Sequence, residues 1–139
     1  MNKKYERYIN YIVNDIQPPY FKNMEENYGL SKKEYELVLD KVFNQPVSIA
    51  GNGVYDTNGN IFYYEDSDGY WEKKEYDSNG NVIYIENSDG YWYKKEYDSN
   101  GNRIYYEDFT GSWIKKEYDQ NGNTIYYEDS NGVVRDNRR

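Results

Sequence analysis

Between Tyr76 and Glu96 the chain reads YDSNGNVIYIENSDGYWYKKE, and Tyr97 starts the same pattern again. Tyr55, Tyr76, Tyr97 and Tyr118 stand 21 residues apart, and each is followed by Asp. Gly59, Gly80, Gly101 and Gly122 keep that spacing, as do Gly69, Gly90, Gly111 and Gly132, and Trp71, Trp92 and Trp113. A fixed period of this size marks a repeat architecture, in which stacked neighbours bury what no single unit can bury alone. It also argues against an enzyme. A catalytic site needs residues that occur once in a particular place, and residues 55–134 hold almost none.

Each unit divides into two β-rich runs. Asn81–Glu86 is followed by a turn at Ser88-Asp89-Gly90, and Tyr91–Tyr97 by a turn at Ser99-Asn100-Gly101. Asn-Gly and Asp-Gly between runs of Tyr, Trp, Ile and Val are strong hairpin signals. The turns fall alternately 10 and 11 residues apart. Because side chains alternate faces along a strand, an odd period keeps equivalent residues on one face only if an odd loop or a bulge intervenes. The expectation is a two-residue type I′ turn at each Asn-Gly and a three-residue loop with a glycine bulge at Ser67-Asp68-Gly69 and its copies. This register puts Phe62, Ile83, Ile104 and Ile125 in one row. Trp71, Trp92 and Trp113 fall on the other side, with Tyr63, Tyr84, Tyr105 and Tyr126. Lys73, Glu75, Glu65 and their copies add cross-strand ion pairs, each worth little in water.

Residues 1–46 lack the repeat. Tyr5, Tyr8, Ile9, Ile12, Val13 and Ile16 have helical spacing, and Pro18-Pro19 stop that helix. Ser31 is an N-cap with Glu34 completing a capping box. Tyr35, Val38, Leu39, Val42 and Phe43 then form an apolar stripe that Pro46 ends, and Phe21 and Met24 join the same small core. The fold expected is mainly β with a small α segment. Residues 1–46 form a helical hairpin that caps a single-layer antiparallel meander over residues 47–139. A closed barrel is the alternative that the number of strands leaves.

The 139 residues include 20 Tyr, no Cys and no His, and carry a net charge of −8. Without Cys and His there is no disulfide, no thiolate chemistry and no common general base. The charge has the wrong sign for holding phosphates, so direct nucleic-acid binding is not expected. It serves solubility, and it permits a partner with a basic surface, or mimicry of a nucleic acid at such a surface. No membrane span or signal peptide is expected, which places the protein in a cytoplasm.

Asp77-Ser-Asn-Gly-Asn81 resembles the opening of a calcium loop, but Val82 and Ile83 follow where a distal acid is required. An Asx-type turn is the expected reading. The Glu65-Asp66 pair recurs as Glu107-Asp108 and Glu128-Asp129, so it reads as repeat decoration rather than a glycosidase pair. No catalytic residue, metal or cofactor is expected.

The segment Asp89–Gly101, DGYWYKKEYDSNG, resembles two known repeat types. Its Tyr-Asp-x-Asn-Gly-Asn is similar to the tyrosine-aspartate repeats of RHS-type shells. Its Gly-x-Trp-x-Lys-x-Tyr-x-x-x-Gly is similar to the MORN-type repeats of the YwqK-like antitoxin family. The whole chain looks like small tyrosine-rich tandem-repeat proteins of phages, which join such repeats to an N-terminal helical segment. The resemblance implies a β-hairpin array in a host cell cytoplasm and no chemistry. About four units are too few to enclose a toxin as RHS shells do, which leaves a binding protein. The expected function is an inhibitor of a host defence or nucleic-acid-handling protein. Its partner contacts are Tyr63, Trp71, Tyr84, Glu86, Trp92, Tyr105 and Trp113. Carbohydrate or cell-surface binding by the aromatic rows, or an antitoxin-like structural role, are the alternatives. Exposed sheet edges could also pair two copies.

Overall fold

The computed structural model describes residues 3–139, with side chains from Glu6 onward, so the expected contribution of Tyr5 lies outside the described residues. Three helices precede ten strands: α1 (Lys3–Asp15), α2 (Tyr20–Tyr28), α3 (Lys32–Val42), β1 (Ser48–Ala50), β2 (Gly53–Tyr55), β3 (Ile61–Glu65), β4 (Trp71–Tyr76), β5 (Val82–Asn87), β6 (Trp92–Tyr97), β7 (Arg103–Asp108), β8 (Trp113–Tyr118), β9 (Thr124–Asp129) and β10 (Val134–Asp136). The strands follow one another in chain order in one open sheet. The fold is mainly β with a small helical segment. The chain divides into two compact units, residues 1–72 and 73–139.

In the first unit the expected helical hairpin is three helices. The linking stretch around Phe21 and Met24 is itself helical, starting after Pro19 and ending at Gly29, whose φ is 65°. Beyond Gly29 the Leu30 N–H returns to the Met24 carbonyl and the Leu30 side chain is buried, a helix stop that satisfies an orphan carbonyl. The capping box at α3 forms as expected, with Glu34 Oε1 accepting from the Ser31 N–H at 3.0 Å and its hydroxyl at 2.9 Å. The core consists of Ile9, Ile12 and Ile16 from α1, Tyr20 and Met24 from α2, and Tyr35, Val38 and Leu39 from α3, together with Leu30. The sheet adds Val54, Phe62 and Tyr63. Rings close the seam between helices and strands: Phe43 meets Phe62 edge-on at 4.8 Å, and Tyr20 meets Tyr63 at 5.1 Å.

The second unit is built differently. From Lys73 onward no described side chain is buried. A single layer with both faces half-wetted matches the expectation from its amphipathic Tyr content. Its order rests on backbone ladders, turn chemistry and cross-strand ring and charge contacts rather than on a core.

The expected difference between the two turn classes is corrected. At Asn100-Gly101 the Asp98 N–H bonds the Asn102 carbonyl at 2.9 Å, and the Gly101 N–H bonds the Asp98 carbonyl at 3.0 Å. At Ser88-Asp89-Gly90 the corresponding bonds join Asn87 to Tyr91, and Gly90 to Asn87. Both are three-residue loops closed by a glycine at φ near 85°, a conformation that a Cβ disfavours; Asn100 itself does not have the positive φ a type I′ turn requires. The odd period is absorbed inside the strands. Glu96 pairs with Tyr105 but Tyr97 with Arg103, which leaves Ile104 as an extra residue. Ile125 is extra between β8 and β9, and Phe62 between β2 and β3. The expected apolar row is a row of β-bulges.

The calcium-like turn is an Asx turn. Asp77 Oδ1 accepts from the Asn79 and Asn81 N–H groups at 2.9 Å each. The backbone N–H of Asn81 holds the Asp77 carboxyl below its ordinary range, and that of Asn123 does the same for Asp119. A carboxyl depressed in the folded state contributes stability above its unfolded pKa and loses it as pH falls. Melting temperatures should therefore stay level from neutrality to about pH 5 and fall below about pH 4. Asp77→Asn with Asp119→Asn should reduce that acid sensitivity, because Asn87 already makes the same turn. An unchanged acid transition in the double variant would remove these carboxylates as its cause.

Candidate functional site: the acidic aromatic face

Strand register decides which side chains share a face. In the second unit Tyr84 pairs with Lys94 and Glu86 with Trp92. Lys94 pairs in turn with Glu107, and Glu96 with Tyr105. Glu107 pairs with Trp113 and Tyr105 with Lys115. Lys115 pairs with Glu128 and Glu117 with Tyr126. Since paired residues point the same way, one face carries Tyr84, Glu86, Trp92, Tyr105 and Trp113 together. These are five of the seven expected contacts. The same face holds five glutamates (Glu86, Glu96, Glu107, Glu117, Glu128) and Asp136, against Lys94, Lys115 and Arg138.

Its recurring element is a tyrosine followed two residues later by an acid on the same side. The Tyr84 hydroxyl donates to Glu86 at 3.2 Å and the Tyr126 hydroxyl to Glu128 at 2.9 Å. Burial first, then the neighbouring Glu86 or Glu107, raises the Tyr84 and Tyr105 hydroxyls above their ordinary pKa, so both remain neutral donors at physiological pH. The lysines lie over the tryptophans: Lys94 Nζ is 5.5 Å from the Trp92 ring centre and Lys115 Nζ 5.0 Å from that of Trp113.

The remaining two expected contacts, Tyr63 and Trp71, belong to the first unit. Trp71 is half-buried. Tyr63 is 1% exposed and its companion Glu65 2%, so neither is on an open surface. Here the same Tyr–Glu element holds a helix. Glu65 Oε1 accepts from the Phe21 N–H at 3.0 Å and Oε2 from the Lys22 N–H at 2.9 Å. The Tyr63 hydroxyl donates to Glu65 Oε1 and accepts from the Tyr20 N–H at 3.2 Å. Helix α2 has no side-chain cap of its own, so a carboxylate from β3 serves its first turn and its dipole. Glu65 was expected as a cross-strand ion-pair residue; its buried position under α2 makes it a helix cap instead.

Arg138 is a contact that the repeat pattern does not reveal. Its guanidinium lies 4.1 Å from the Tyr126 ring centre, and Nη1 is 3.1 Å from Glu117 Oε2. Lys94 and Lys115 are 21 residues apart, and the next position in that series is Asp136. Arg138 binds Asp136 as well, at 2.9 Å from Nη2 to Oδ2, and those hydrogen bonds pull the Asp136 carboxyl down to about 2. Where the repeat's lysine gives way to an acid, the chain supplies a cation from beyond the last strand. The only sequence signal was the break in the Lys series.

The face has hydrogen-bond donors, acceptors and rings, and among the described residues there is no cluster of three metal-ligating side chains. No helix among the described residues is long and apolar enough to cross a membrane. No family model matches the chain, and no curated protein matches it. Among solved structures, the Photorhabdus luminescens Tc holotoxin pore is similar at 16% identity with a TM-score of 0.42, over 71% of this chain and 5% of that one.

Proposed function

We propose that the protein is a non-catalytic binding module whose acidic aromatic face engages a basic surface of a partner protein. The observation that carries this reading is the face of the second unit, where Tyr and Trp rings stand among five glutamates with no described side chain buried. Tyr and Trp dominate interface hot spots, and charge complementarity speeds association. The resemblance to phage repeat proteins supports a finer reading. The partner is then a host defence or nucleic-acid-handling enzyme in the host cytoplasm, whose basic groove the acidic sheet occupies.

The test starts with capture of partners from host lysate at low and high salt, followed by calorimetry with the purified candidate. Trp92→Ala should weaken binding by about 2 kcal/mol, roughly thirtyfold, with the circular dichroism spectrum unchanged. Glu86→Lys should slow association mainly at low salt. If Trp92→Ala binds normally while substitution of Tyr11, which is 62% exposed on α1, abolishes binding, the helices carry the function and the face does not.

A further inference from the structure

In a repeat, the informative residue is one that departs from its copies. Ser67, Ser88 and Ser130 occupy the first loop position of three equivalent turns, and the fourth has Phe109. The turn itself does not require a ring. Asp108 Oδ1 accepts from the Thr110 N–H at 3.0 Å, and the Gly111 N–H bonds the Asp108 carbonyl at 3.0 Å, as in the serine copies. Phe109 is nevertheless 49% exposed. It packs against Tyr91 at 5.1 Å, itself 38% exposed, and Tyr91 against Tyr93 at 6.1 Å. Tyr93 stacks on Tyr106 at 6.1 Å and 23°. Tyr93 stands at a position that differs in every copy, where the others have Glu72, Ile114 and Arg135.

These rings lie on the sheet face opposite Trp92, because Tyr93 pairs with Ile85 and Lys95 with Tyr106. The charge there reverses. Lys95 Nζ is 4.5 Å above the Tyr93 ring and Arg103 Cζ 5.2 Å from that of Tyr106. Of the acids on the same face, Asp108 already accepts hydrogen bonds from the Tyr106 hydroxyl and from Thr110, and Asp129 from the Tyr127 hydroxyl. Two cations therefore border a four-ring cluster on a chain whose net charge is −8.

We propose that Tyr91, Tyr93, Tyr106 and Phe109, bordered by Lys95 and Arg103, form a second docking site, which takes a protein segment presenting an apolar side chain beside carboxylates. An apolar side chain covers the Phe109–Tyr91 edge, and the carboxylates answer Lys95 and Arg103. Single-stranded nucleic acid also uses rings and cations, and Lys116 and Arg135 lie further along this face, but they stand beside Tyr127, away from the exposed Phe109–Tyr91 edge, and the chain as a whole is acidic. The site is independent of the acidic face and of the function proposed for it.

The test uses the full chain and three probes: the blocked peptide Glu-Glu-Trp-Glu-Glu, its Gln-Gln-Trp-Gln-Gln analogue, and oligothymidylate. Amide shifts are followed by NMR. The acidic peptide should bind saturably, shift residues 91–95 and 106–111, and bind more tightly than the glutamine analogue. Phe109→Ser restores the residue of the other copies, so the turn is retained; it should weaken binding at least about fivefold, by loss of an aromatic anchor. Lys95→Gln should weaken it too and flatten its salt dependence. Trp92→Ala, on the other face, should leave it unchanged. No saturable binding of the acidic peptide, equal affinity in Phe109→Ser, or tighter binding of oligothymidylate would each overturn the proposal, the last by assigning the site to nucleic acid.

Discussion

Replacing Glu65 with Ala is expected to destabilise the protein by about 3 kcal/mol, whereas the same change at Glu86, its equivalent one repeat later, should cost less than about 1 kcal/mol. Glu65 receives three donors: the Phe21 and Lys22 N–H groups and the Tyr63 hydroxyl. Two of them belong to the uncapped first turn of α2, and the third is on a buried ring. Removing the carboxylate strands the buried Tyr63 hydroxyl and leaves two part-buried N–H groups of α2 without their acceptor, and each orphaned buried donor costs about 1–3 kcal/mol. Glu86 is half-buried and serves the Tyr84 hydroxyl, which water can satisfy. Glu65→Gln should fall between, because its amide retains one acceptor oxygen for three donors. Urea denaturation followed by far-ultraviolet circular dichroism measures all three variants. Equal losses at positions 65 and 86 would show that the capping of α2 adds nothing beyond what every repeat provides.

That comparison also shows where sequence reading ends. Tyr63-x-Glu65 and Tyr84-x-Glu86 are the same local pattern, and local pattern placed both on one kind of sheet face. Only the arrival of α2 separates them, and no periodicity records it. Pro19 and Gly29 did bracket a short helix, but Phe21 and Met24 alone gave too little apolar stripe to signal one. The turns were more legible than the reading allowed. Each loop glycine follows an Asp or Asn by three residues, as Asp98 precedes Gly101 and Asn87 precedes Gly90. That shared spacing predicts one turn for both classes, since the carboxylate or amide oxygen organises the loop. The bulge at Ile104 was legible only as a missing residue in the count. The Trp92 face was correctly separated because Tyr84, Trp92 and Tyr105 lie where pairing is regular. At the bulges alternation slips by one: Arg103 and Tyr105 face opposite ways although two apart, and Phe62, expected opposite Tyr63, meets Phe43 together with it. Arg138 lay outside the repeat, and only the replacement of the repeat lysine by Asp136 pointed to it.

The second large effect should come from the core. Leu39→Ala is expected to cost about 3 kcal/mol, and Ile125→Ala less than about 1 kcal/mol, although both remove an aliphatic side chain. Leu39 is fully buried on α3, which packs against α1, so truncation leaves a cavity as well as lost burial. Ile125 is half-exposed at a bulge in a single layer, where neighbouring rings and water refill the space. The loss in Leu39→Ala should appear first in the amides of α1 and α3, which pack together. Hydrogen exchange read by mass spectrometry locates it, since local opening reports the stability of each region separately. In wild type, residues 73–139 should exchange faster than the helix core despite their regular ladders, because no buried side chain opposes their opening. If Ile125→Ala destabilised as much as Leu39→Ala, or if both regions exchanged at one common rate, the repeat sheet would have a cooperative core of its own. Its half-open rings would then be structural ballast rather than a surface available to a partner.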